Sequence, residues 1–225
     1  MALFEKYIFS KYIKVNENEI LNPTKYFKTM NELAKQSNFI NCGWYKDIRG
    51  GIYAITLSMW MNNNLDTLII IGGGKILKKD YKKSMCVSFC NNEKIIVTYD
   101  ECGSIDLSGL LDIELLLNAD LEELISKHQE RNTEFRSLKI LSPENALKYF
   151  EDIDKLRAEK LIDEGLAKYY DMRQSGFTYT LKGAFFLAST GFLAQLKKAN
   201  KQSDRLSLHR PGDRGYQIKN PSDNL

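Results

Sequence analysis

The 225-residue sequence predicts an α+β protein: an N-terminal helix plus antiparallel β-sheet over residues 1–106, an α-rich half over 107–199 containing a small β-hairpin, and a flexible polar tail over 200–225. Three observations lead there. Apolar residues recur at helical spacing after Asn22-Pro23-Thr24. Strand-length runs of β-branched and aromatic residues fill 51–100, split by short turn-forming clusters. From about Leu107 the spacing turns helical again. The composition, 43% hydrophobic and 27% charged with only four prolines, is that of a globular chain rather than a disordered one.

Each element has its own signal. The stretch "MALFEKYIFSKYIK" mixes charges into its apolar residues, so it reads as an amphipathic helix or first strand and not as a signal peptide. Asn22-Pro23-Thr24 offers a cap and a proline suited to the first helical turn, and Tyr26, Phe27, Met30, Leu33 and Ala34 then share one face to about Gln36. The runs 51–61, 65–71, 84–90 and 93–100 read as strands. Their connections are too short for crossover helices, so antiparallel pairing is expected. Asp120 and Glu123 have capping-box spacing ahead of Leu121, Leu124, Ile125 and His128. Ser142-Pro143-Glu144 opens a further helix that should stop near Gly165, a natural left-handed cap. A hairpin over 166–180 follows, and then a helix over 181–199. The apolar run Gly183–Ala194 spans about 18 Å as a helix, short of the roughly 30 Å hydrocarbon core of a bilayer.

Charge and cysteine usage narrow the function classes. Residues 197–225 carry seven basic and three acidic side chains, a net of +4, whereas the remainder is close to neutral at −1. Any basic footprint therefore lies in the tail. Cys42, Cys86, Cys90 and Cys102 form no C-x-x-C pair and have no histidine at zinc-finger spacing, so no metal and no cofactor is expected. They read as reduced thiols of a cytoplasmic protein.

The run Gly72-Gly73-Gly74-Lys75 invites a phosphate-loop reading, which the spacing rejects. A Walker loop needs glycine where Ile69 stands and a hydroxyl where Ile76 stands; the dinucleotide pattern needs glycine where Leu77 stands. The expectation is a turn or bulge between strands, using positive φ.

His128, with Arg131 one turn away and Arg136 beyond, is the candidate anion or ligand contact and would head an enzyme's pocket. Its position on an apolar stripe also fits a buried, hydrogen-bonded histidine. No nucleophile pairs with it by sequence, so no catalytic residue is assigned.

The segment Leu161–Ala188 holds L-x-x-x-G-L at the end of a helix, a short hairpin, and then Y-T-L-K-G opening a helix. It resembles the second half of a winged-helix domain. The resemblance implies nucleic-acid binding by the helix before the wing, and Lys197, Lys198, Lys201, Arg205 and Arg210 of the tail would add phosphate contacts. Helix 143–164, however, carries seven acidic against four basic side chains, which opposes docking on phosphates.

The expected function is thus a non-catalytic protein-binding or interaction protein, with self-association as a homodimer through the helix at 181–199. A nucleic-acid-binding regulator is the second reading, and an enzyme with its pocket at His128 and Arg131 the third.

Overall fold

A computed structural model describes residues 7–20, 23–48, 53–76, 79–100, 108–116, 118–135 and 138–186. Met1–Ala184 forms one compact unit and Phe185–Leu225 a second, of which only the first two residues are described. Arg136, the stretch beyond residue 186 where the sequence predicts a helix to 199, and the tail over 200–225 lie outside the described residues.

In chain order the first unit contains β1 (Tyr7–Ile8), β2 (Tyr12–Val15), α1 (Lys25–Gln36), β3 (Ile40–Asp47), β4 (Tyr53–Met61), β5 (Leu68–Ile76), β6 (Lys79–Phe89), β7 (Ile95–Tyr99), β8 (Leu111–Leu115), α2 (Leu121–Asn132), α3 (Ala146–Asp163), β9 (Ala167–Tyr169) and β10 (Gly176–Tyr179). Residues 181–186 are helical. A seven-stranded sheet runs in the order β2-β3-β4-β5-β6-β7-β8, and a three-stranded sheet in the order β1-β10-β9.

This corrects the expected fold class. Among the described residues, β1 and β2 precede α1. The large sheet is not purely antiparallel, since β8 joins β7 in parallel register, Ile95 opposite Leu111 through Tyr99 opposite Leu115. The stretch after 107 is not an α-rich half either: it supplies β8, β9 and β10. The run Leu110–Leu117 is apolar enough to pass for a helix, yet its period is two. Leu111, Ile113 and Leu115 join the core on one face of the sheet, while Asp112 and Glu114 meet Arg131 on the other.

The large sheet is buried on both faces. On one side Phe27, Met30 and Ala34 of α1 and Leu121 and Leu124 of α2 pack with Trp44, Trp60, Ile69, Ile71 and Cys86. On the other, Leu57, Met59, Ile70, Val87 and Val97 pack with Leu141 and with Ala146 and Ile153 of α3. Local chemistry starts the helices. The Thr24 hydroxyl accepts from the Phe27 amide at 3.3 Å, and Asp120 and Glu123 form the reciprocal capping box. Gly165, at φ +68°, ends α3. No helix among the described residues is long and apolar enough to cross a membrane.

Gly72-Gly73-Gly74 is not a turn. All three residues sit inside β5, paired with β4 on one side and β6 on the other. A Cβ on Gly73 would stand 2.6 Å from Phe27 Cβ, so the missing side chain is what lets α1 lie against the sheet.

The winged-helix comparison also needs correcting. α3 and the β9–β10 hairpin exist, and β1 adds a third strand to them. But a 3₁₀ turn, Pro143–Asn145, leads into α3 where that family has a short helix, and Ala146 and Ile153 are buried against the large sheet. A helix that spends its apolar face on a sheet core is not presented as a groove-reading helix.

Candidate functional site

The structure brings His128 and Arg131 together but seals them in. His128 is 0% exposed and Arg131 6%. The His128 ring bridges two strands, with Nε2 2.9 Å from Ser88 Oγ on β6 and Nδ1 2.9 Å from Thr98 Oγ1 on β7. The hydroxyls fix the tautomer. Ser88 donates its one proton to the Asp66 carbonyl oxygen at 2.8 Å, so it accepts from His128 Nε2–H. Thr98 Oγ1 accepts from Arg131 Nη1 at 2.8 Å, which leaves its own proton for Nδ1. Arg131 also donates to the Val97 and Asp112 carbonyl oxygens, at 2.7 and 2.8 Å, and pairs with Asp112 and Glu114. The pair's polar atoms clamp α2 to β6, β7 and β8. Any ligand reaching His128 would have to displace Ser88 or Thr98.

Burial, reinforced by the Arg131 guanidinium, pushes the His128 pKa down to about 3. Protonation would also leave the Thr98 hydroxyl proton without its acceptor. The sign follows: the unfolded chain takes up a proton near pH 6.5 while the folded chain refuses it. Stability is therefore full above pH 6.5 and falls by about 1.4 kcal/mol per pH unit as the pH drops toward the folded value. Denaturant unfolding between pH 7 and 5 should show that slope, and His128→Gln should lose it. A slope unchanged in His128→Gln would refute the assignment.

The surface offers a different site. A cleft of about 350 Å³ lies between the β1–β2 segment, α3 and the β9–β10 turn. Phe9, Tyr12 and Phe150 supply its aromatic surface, with the Tyr12 and Phe150 rings 5.8 Å apart and tilted by 47°. Lys11, Lys155 and Arg173 supply positive charge; Glu151 and Asp154 supply negative charge from α3. Asp154 lies 3.5 Å from Arg157 Nη1. Among the described residues, neither Lys11 nor Arg173 is within ion-pair distance of a carboxylate.

The walls of this cleft are fixed from behind. The Phe9 amide donates to the Ser175 carbonyl oxygen at 3.1 Å, and the Ile48 amide to the Lys11 carbonyl oxygen at 2.9 Å. Asp171 accepts from the Ser175 amide at 3.0 Å and from its hydroxyl, which holds the turn closed and keeps the Asp171 carboxyl below its usual range. At the turn's tip Met172 is fully exposed and Gln174 is left-handed, at φ +51°. Sequence reasoning missed this cleft. Its lining comes from residues 9–12, 150–155 and 173–175, and no local spacing links those three segments.

A second cleft, of about 340 Å³, is lined by Tyr26, Met30, Lys82, Asp100, Asn118 and Asp120 among others. Its carboxylates are committed to structure: Asp100 accepts from the Tyr26 hydroxyl and, at 2.7 Å, from the Ser84 amide, and Asp120 caps α2. Cys42, Cys86 and Cys90 are free and buried, and burial raises each thiol pKa, that of Cys42 to about 11. Protonated thiols of this kind are poor nucleophiles. Among the described residues, no three His, Cys, Asp or Glu side chains are grouped to hold a metal. Lys197, Lys198, Lys201, Arg205 and Arg210 lie outside the described residues.

No protein-family model matches this chain, and comparison with curated proteins and with solved structures gives no significant match.

Proposed function

We propose that this chain is a non-catalytic, cytoplasmic protein-binding module that engages its partner through the cleft between the β1–β2 segment, α3 and the β9–β10 turn. The observation that carries this reading is the cleft's makeup: three aromatic rings at a concave surface, and an exposed Arg173 in its lining next to the fully exposed Met172 at the turn's tip. Aromatic residues, methionine and arginine are the types enriched where proteins bind one another. Three buried free thiols support a reducing compartment. The enzyme reading is weakened because His128 and Arg131, its proposed residues, are spent on holding α2. The nucleic-acid reading is weakened because Glu151 and Asp154 stand in the cleft wall.

The test is selection of binders from a random-peptide display library against the full chain, followed by titration of the Met172→Asp/Arg173→Glu variant. Both side chains are exposed, so the fold should survive. Selected peptides should lose affinity at least about tenfold, which is the loss of a central anchor. Peptides indifferent to both substitutions would refute the site.

Self-association is a second reading, favoured by Leu181 and Phe185, which are 76% and 81% exposed in the helical residues 181–186. Light scattering should then report a dimer that Leu181→Lys/Phe185→Lys dissociates. A monomer at all concentrations removes this reading.

A further inference from the structure

Resting on the binding-module reading, we infer that the segment the cleft receives is extended and acidic, with one large apolar side chain as its anchor. The charge balance of the cleft points there. Of its two acids, Asp154 is offset by Arg157, which leaves Glu151. Of its three bases, Lys155 is only loosely offset, 4.0 Å from Asp152, Arg173 is exposed with Asp171 two residues away feeling its charge, and Lys11 is exposed. The lining itself carries three bases to two acids.

Arg173 fits a carboxylate by geometry as well as by charge, because a planar guanidinium takes both oxygens at once. Lys11 flanks the same opening from the β1–β2 side. A partner carboxylate at either side of an apolar anchor meets a cation, and the anchor meets Phe9, Tyr12 and Phe150. The volume, about 350 Å³, is at the lower end for a ligand pocket, roughly 300 Å³ and up. It suits one or two side chains of a passing strand, not a folded surface. A polyphosphate chain is the other polyanion to weigh. Glu151 faces it with like charge and leaves it no stacking gain without bases, whereas an acidic peptide can place an apolar residue beside Glu151.

The experiment uses the full chain and four fluorescent probes. They are a twelve-residue Asp/Glu/Ser peptide with one central Phe, the same peptide with Phe→Ser, the same with every acid changed to Lys, and a twelve-nucleotide oligothymidine. The acidic Phe peptide should bind at least about tenfold more tightly than the other three, weaken as salt rises, and lose that advantage with Lys11→Glu/Arg173→Glu. Thermal melts of the variant check that it is folded.

If the Lys-containing peptide binds equally well or better, and Met172→Asp still weakens it, the acidic-partner inference falls while the binding-module reading stands. If oligothymidine binds most tightly and depends on Lys11 and Arg173, both fall. Failure of every probe to bind up to millimolar concentration overturns the inference alone. So does a dimer dissociated by Met172→Asp, because it shows that a second copy fills the cleft.

Discussion

His128→Ala should destabilise the chain by about 3–5 kcal/mol, a large share of the roughly 5–15 kcal/mol that holds a typical domain. Two losses combine. The ring is fully buried, and emptying its place leaves a cavity at the α2–sheet interface, for which large-to-small changes cost about 2–5 kcal/mol. The fully buried Thr98 hydroxyl loses the acceptor for its proton, and an orphaned buried polar group costs about 1–3 kcal/mol, whereas Ser88 keeps the Asp66 carbonyl and Asn132. Partial relaxation keeps the total below the sum. Urea unfolding monitored by tryptophan fluorescence reads it directly, since Trp44 and Trp60 lie in the core beneath α1. A loss under about 1 kcal/mol would show that the clamp carries little of the fold, and would bring the pocket reading of His128 back.

The sequence announced elements whose determinants are local and hid those whose determinants are not. α2 and the end of α3 were legible because a capping box and a left-handed glycine act within one turn of chain. His128's burial was legible from its apolar stripe. Its partners were not: Ser88 and Thr98 stand 40 and 30 residues away, on strands whose order no spacing reports. β8 was misread because Leu110–Leu117 is nearly all apolar, and only Asp112 and Glu114, waiting for Arg131, mark its alternation. β1 has two residues and forms because β10 is there to pair with it. Gly176 makes that pairing possible, since a Cβ there would reach within 1.9 Å of the Tyr7 carbonyl oxygen. The cleft is illegible for the same reason as β1. It exists only where three separate segments converge.

Gly73→Val should cost about 3 kcal/mol, although valine is the better strand former. On an open strand the exchange would gain up to about 1 kcal/mol from backbone entropy and β-propensity. Here the new Cβ would lie 2.6 Å from Phe27 Cβ and 2.8 Å from its Cδ2, well inside contact distance, before the two methyl groups are added. Phe27 cannot swing away freely, being 3% exposed and packed edge-on against Trp44 with centroids 5.9 Å apart. Either α1 lifts off the sheet or the aromatic cluster repacks, and overpacking of this kind costs about 1–3 kcal/mol, sometimes more. A double-mutant cycle separates steric conflict from any defect in the strand itself. With Phe27→Ala already in place, Gly73→Val should cost far less, a coupling of about 1–3 kcal/mol. An unchanged cost in the Phe27→Ala background would mean that β5 needs glycine for its own backbone. A stabilised Gly73→Val would mean that α1 does not rest on Gly73 at all.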